Sequence, residues 1–257
     1  LQNPKTLENS FMKRLRFSLF SCHVLTGWIV LSCGPSLLAA DRYWDGSGTN
    51  WSSAAAWSTT TAVSGLDPTL PPGATDVALF TANLPSPNPG NVLVGDRTVL
   101  ISGTQPAQGI TTRQTGYITT LLGSGTSTLN IGASGITHGS GALTIGSPTA
   151  GSEVNILLNV SQPWTSSGAG TSARVMYVEN NVSAGQAGNI TLTLTGSNTG
   201  SASQGALING TVSDGAGVLG IIKTGVGNWA FNGATSYTGP TTVNQGRLNI
   251  NVGNLHG

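Results

Sequence analysis

The chain has 257 residues, 37 of them glycine, with 38% hydrophobic residues, only 7% charged residues and a formal net charge of +1. So much apolar material with so little charge excludes an intrinsically disordered chain, which needs low hydrophobicity and usually a high net charge. After residue 40 one lysine and five arginines are scattered among six aspartates and two glutamates, so no basic patch is available to neutralise phosphates, and nucleic acid is excluded as a partner.

In chain order, residues 1–11 read as an upstream extension before Met12. Residues 12–40 have the three-part layout of a secretory signal. Lys13, Arg14 and Arg16 give a positive start, Phe17 to Leu31 is mostly apolar, and Ala39 and Ala40 are small residues before Asp41. The expected cleavage lies between Ala40 and Asp41, so secreted material should begin at or near Asp41. Lipid attachment at Cys33 is the alternative. Cys22 and Cys33 both fall in the leader, so the mature chain would hold no disulfide and no thiol nucleophile.

Residues 41–90 form a Trp/Pro-rich region, expected to cap the fold with Trp44, Trp51 and Trp57, and Leu84 to Gly90 reads as a loop. Residues 91–257 hold short β-prone runs in which Thr or Asn alternates with Val, Ile or Leu, the period-two signature of strands. They are Val92–Val94, Thr98–Ile101, Tyr117–Leu122, Thr128–Ile131, Ala142–Ile145, Val154–Val160, Arg174–Val178, Ile190–Thr195, Val218–Ile222, Asn228–Phe231 and Arg247–Ile250. Glycines separate nearly all of them, as turns require.

Leu129-Asn130-Ile131-Gly132 returns fourteen positions later as Leu143-Thr144-Ile145-Gly146. A strand–Gly–turn unit used repeatedly suits a solenoid, in which each short strand buries its apolar face against the next coil. Low charge suits it too, because like charges stacked in register repel. Coils of about 20–25 residues would give nine or ten turns rising about 45 Å. A β-sandwich is the alternative architecture.

Candidate chemistry is sparse. His138 and His256 stand apart from carboxylates in sequence, and His138 reads as a turn residue. Asp45 and Asp214 each precede a glycine but lack the closely spaced oxygen ligands of a calcium loop. No catalytic, cofactor or metal residue is assigned, and no turnover of pectins, alginates or other polysaccharides is expected.

Residues 214–248, DGAGVLGIIKTGVGNWAFNGATSYTGPTTVNQGRL, resemble the autotransporter-associated β-strand repeat. The matching positions are Lys223, Gly225, Gly227, Trp229, Phe231, Gly233, Tyr237, Thr238, Gly239, Thr241, Thr242, Val243, Gly246 and Leu248, with Thr235 where Asn is usual. Tyr43-Trp44-Asp45-Gly46 and Asp76 to Phe80 are similar to the opening of large exported bacterial proteins carrying such repeats. The resemblance implies a right-handed parallel β-helix passenger on the outer cell surface, a fragment of a longer product joined to the membrane through a C-terminal barrel or anchor beyond this sequence. It implies a non-enzymatic structural or adhesive stalk, with surface glycans or a host or neighbouring cell surface as candidate partners. A carbohydrate-binding or polysaccharide-processing β-helix is the alternative. Within the repeat, Trp229 and Phe231 should face inward, Ala230 outward, Tyr237 and Gly239 should lie in a turn, and Gly246 should take a corner.

Overall fold

The computed structural model describes residues 40–59, 70–81, 95–168, 176–198 and 205–251. The leader proper, both cysteines, the 84–90 loop, the Val92–Val94 run and His256 lie outside the described residues.

The described residues form no α-helix, only one 3-10 turn at Ala54–Ala56. The strands are β1 (Asp41–Trp44), β2 (Trp57–Ser58), β3 (Val77–Thr81), β4 (Arg97–Ile101), β5 (Thr104–Gly123), β6 (Ser127–Ile145), β7 (Val154–Leu158), β8 (Gln162–Ser166) and β9 (Met176–Val178). They continue as β10 (Val182–Ala184), β11 (Asn189–Thr195), β12 (Ala206–Ile208), β13 (Val212–Gly215), β14 (Val218–Lys223), β15 (Asn228–Phe231), β16 (Thr241–Val243) and β17 (Arg247–Ile250).

Among the described residues every strand pairing but one is parallel; β1 and β2 run antiparallel. That settles the choice between solenoid and sandwich, since a sandwich joins neighbours by antiparallel hairpins. The long strands β5 and β6 show how a coil is built. Their pairing breaks between Ala107 and Gly109 and again between Arg113 and Ile118, dividing each coil into three runs. The runs belong to three ladders. The first stacks β5, β6, β7, β10 and β13. The second stacks β1, β3, β5, β6, β8, β11, β14 and β16. The third stacks β4, β5, β6, β9, β12, β15 and β17.

Alternate residues on each rung point into the coil, so each ladder writes columns through the core. On the third ladder Val99, Leu121, Ile145, Val178, Ile208, Phe231 and Ile250 stand in register, all but the last fully buried. On the second, Ala78, Ile110, Ile136, Trp164, Leu194, Lys223 and Val243 do the same. Successive members of that column are 32, 26, 28, 30, 29 and 20 residues apart. Coils are therefore mostly longer than the 20–25 residues expected, and the eight rungs of this ladder rise only about 34 Å at one strand spacing each. The fourteen-residue echo misleads for a related reason. Leu129 lies on the first ladder and Leu143 on the third, so the echo joins two sides of one coil rather than two successive coils.

Trp44, Trp51, Trp57 and Phe80 form one buried aromatic cluster near the first rungs, with edge-on contacts of 5.1 Å between Trp44 and Trp57 and between Trp51 and Trp57. Trp57 Nε1 donates to the Trp51 carbonyl at 2.8 Å. The rings fill the core, so none of the three offers an open face on which a sugar could stack.

Candidate functional site

The last two coils carry several polar contacts that hold one coil to the next. Lys223 is fully buried on the inward column, directly above Leu194. Its aliphatic stem occupies a core position while the ammonium reaches the corner after β14. There Nζ donates to the carbonyls of Thr224, Gly225 (2.7 Å) and Gln245 (3.1 Å). Three protons meet three carbonyl acceptors, two from its own corner and one from the coil above. Burial pushes this ammonium below its ordinary 10.5.

The glycines of the repeat share one cause. Gly225 and Gly246 have φ of +68° and +72°. A Cβ on Gly225 would lie 2.7 Å from the Gly196 carbonyl, and one on Gly246 would lie 2.5 Å from that of Gly225. The corners stack backbone directly on backbone, leaving no room for a side chain. Gly227 against Asn198, Gly233 against Gly210 and Gly239 against Leu219 meet the same limit.

Trp229 and Phe231 face inward and are 1% and 0% exposed. Ala230 takes the opposite side of the strand, as alternation requires, and is buried there as well. It stacks in register on Leu207, which stacks on Tyr177, giving a second small apolar cluster outside the main core. Tyr237 lies in the irregular segment before β16, as expected, edge-on to Phe231 at 6.5 Å, with its hydroxyl 2.7 Å from Thr241 Oγ1. Thr241, Thr242 and Val243 pair in parallel with Ile221, Ile222 and Lys223 and are exposed. Leu248 sits on Trp229 and is partly buried. At the other end of the chain, Ala40 N–H donates to Asp76 Oδ1 at 3.2 Å and Asp41 opens β1 in register with Val77.

Two clamps escaped the sequence reading. Asp214 reaches across to the next coil, its Oδ1 accepting from Leu219 N–H (2.9 Å) and Thr238 N–H (3.0 Å) and its Oδ2 from the Thr238 hydroxyl (2.7 Å). The Asp–Gly pair hinted at a turn, but the partner 24 residues away follows only from coil stacking. The second is a corner ladder. Asn209 Nδ2 donates to Glu179 Oε2 at 2.8 Å, Asn232 Nδ2 to Asn209 Oδ1 at 2.8 Å, and Asn251 Nδ2 to Asn232 Oδ1. Each residue directly follows the third-ladder column, so register alone brings the amides together.

Partial burial pushes the Asp214 carboxyl up, but the three hydrogen bonds it accepts outweigh this and hold it below its ordinary 3.8. A depressed folded value makes the stabilisation fully present above the unfolded value and lost as pH falls through the lower folded one. Replacing this partly exposed group (Asp214→Ala) should therefore cost about 1 kcal/mol at neutral pH. Urea midpoints of the two proteins should converge well below pH 3.8. An equal gap at both pH values would show that the clamp does not act through its charge.

The other candidates are structural in place. Asp45 Oδ1 accepts from Ser47 N–H and Ser47 Oγ, both at 2.8 Å, closing a local turn. His138 is not a turn residue but an inward position of β6, fully buried, with Nε2 3.0 Å from the Gly141 carbonyl. Burial, opposed by the bond to the Gly141 carbonyl, shifts its pKa downward and so favours the neutral ring. A cleft of about 210 Å³ is lined by Trp44, Gly46, Gly48, Gly95, Asp96, Arg97 and Thr98. Its charged groups are engaged in the fold: Asp96 accepts from Ile118 N–H at 2.9 Å and Arg97 donates to the Thr81 carbonyl at 3.4 Å. Burial lowers the Arg97 guanidinium to about 10. Among the described residues no group of three His, Cys, Asp or Glu side chains could hold a metal ion.

The family model of the passenger-associated transport repeat matches residues 221–250. The match begins just before the caged lysine and ends with β17, so it covers the coil-to-coil junction described above. No curated protein and no solved structure matches the chain. The C-terminal coils thus carry a repeat of the autotransporter passenger type, a class of exported, cell-surface proteins.

Proposed function

We propose that the chain is a non-enzymatic exported surface protein, a segment of β-helical passenger with a structural or adhesive role. The observation that carries this reading is the Lys223 junction. A passenger-type repeat coincides with a corner where one coil is fastened to the next by a buried ammonium and stacked glycines, and such a joint can be repeated along a stalk. A solenoid without disulfides in its mature part, tied by backbone ladders, is suited to standing outside the cell. A carbohydrate-binding reading gains nothing from Trp44, Trp51 and Trp57, whose rings are buried.

The reading makes a direct prediction about export. When the chain is expressed from Met12 in a bacterial host with an outer membrane, the product should leave the cytoplasm. N-terminal sequencing of the exported material should begin at or near Asp41. A soluble cytoplasmic product retaining residues 12–40 would overturn the proposal.

A further inference from the structure

The second ladder contains a column of buried polar side chains that the coil-to-coil joints do not use. Thr112, His138 and Ser166 are in register on three successive rungs. All three side chains face inward, with exposures of 1%, 0% and 0%. Each leaves a buried polar atom without a hydrogen-bond partner: Thr112 Oγ1, His138 Nδ1 and Ser166 Oγ. Isolated orphans are rare in protein interiors, because each forfeits its hydration on burial. Three in one column point to a common partner.

The chemistry of the ring fixes what that partner must do. His138 Nε2 lies 3.0 Å from the Gly141 carbonyl, which can only accept, so Nε2 carries the hydrogen. In the neutral ring Nδ1 is then a lone-pair acceptor and needs a donor. Adjacent rungs stand about 4.8 Å apart, too far for a direct bond between groups held side by side. A water about 2.85 Å from each of two such groups spans that gap at an angle of about 115°, close to tetrahedral.

One rung earlier in this column stands Phe80, fully buried. Threonine and serine thus stand in one stack with that phenylalanine and present buried hydroxyls, the kind of polar atom that holds buried water.

We propose that this column is an internal hydration site of the solenoid. One water donates to His138 Nδ1 and bonds the hydroxyl of one neighbouring rung, and a second serves the remaining hydroxyl. The site binds water rather than a larger solute, because its walls are closed and its polar atoms are spaced for single molecules.

A crystal structure of the full chain at about 1.5 Å or better should show at least two discrete waters in the column. One should lie within hydrogen-bond distance of His138 Nδ1. In solution, a long-lived water should give magnetisation transfer to the His138 ring. Thr112→Val and Ser166→Ala should each lower the melting midpoint by a few degrees, since each removes a ligand from a bound water. The opposite pattern, a dry column with Ser166 Oγ or Thr112 Oγ1 turned directly onto Nδ1, would overturn the proposal. So would an unchanged or raised midpoint in both variants, the behaviour of hydroxyls buried without water.

Discussion

Truncating Trp229 to alanine should destabilise the C-terminal coils by roughly 3–5 kcal/mol, the range for removing a buried indole. Trp229 is 1% exposed, stacks between Ala206 and Leu248 on its column and lies 6.5 Å from Trp164 across the core. Its Nε1 donates to the Thr195 carbonyl at 3.0 Å, so the variant also leaves an acceptor behind. The neighbours cannot close over the gap, because their positions are fixed by ladder hydrogen bonds rather than by the ring. Trp229→Phe keeps most of the volume and should recover more than half of the loss. In a solenoid each coil contacts only its neighbours, so damage is local. Hydrogen exchange should therefore rise in β15 and β17 and stay near the parent value in β4 and the first run of β5. A uniform rise through all coils would mean that the stack melts as one unit and that the ring has no special tie to the last repeat.

Lys223→Met should cost roughly 2–3 kcal/mol, the range for losing charge-assisted hydrogen bonds. Exchanging a buried ion pair for apolar residues is often harmless, because both charges leave together. Here only the donor leaves. The carbonyls of Thr224, Gly225 and Gln245 remain, and they belong to corners whose glycines permit no adjustment. Methionine keeps the stem's packing, so the measured loss isolates the ammonium; Lys223→Ala adds a cavity and should cost more. Denaturant midpoints for the three proteins should rank parent, Met, Ala. A Met variant as stable as the parent would show that water replaces the ammonium at no cost and that the caged lysine is not the fastening it is taken to be.

How much of this was legible in the sequence depends on which side of a coil a segment occupies. The expected runs Arg247–Ile250 and Asn228–Phe231 are β17 and β15 themselves, and Thr98–Ile101 is within a residue of β4. All three lie on the third ladder, where large apolar residues alternate openly. The segments Thr104–Thr112 and Ser134–Ser140, and the short strands β10 and β12, show no such alternation. They are extended because neighbouring rungs above and below offer them a complete set of backbone partners. A three-residue strand of Val, Ser and Ala has little local reason to be one. The Lys-x-Gly-x-Gly spacing was visible, but not that the lysine points inward, since nothing in the residues alone marks a cation for burial.

The sequence by itself determined the class of the protein. Period-two alternation, glycine between the runs and scarce charge leave a chain whose backbone must satisfy itself in ladders. The ordered motif from Lys223 to Leu248 further announces a passenger-type repeat. Only the tertiary structure decided the register: that coils are mostly longer than the 20–25 residues expected, that Ala230 is covered, that Asp214 clasps Thr238, and that Thr112, His138 and Ser166 share one column. The physical reason is that alternation constrains each residue to a face, whereas register depends on how much chain each corner consumes. That length is set by the contact between one coil and the next, which exists only once both are folded.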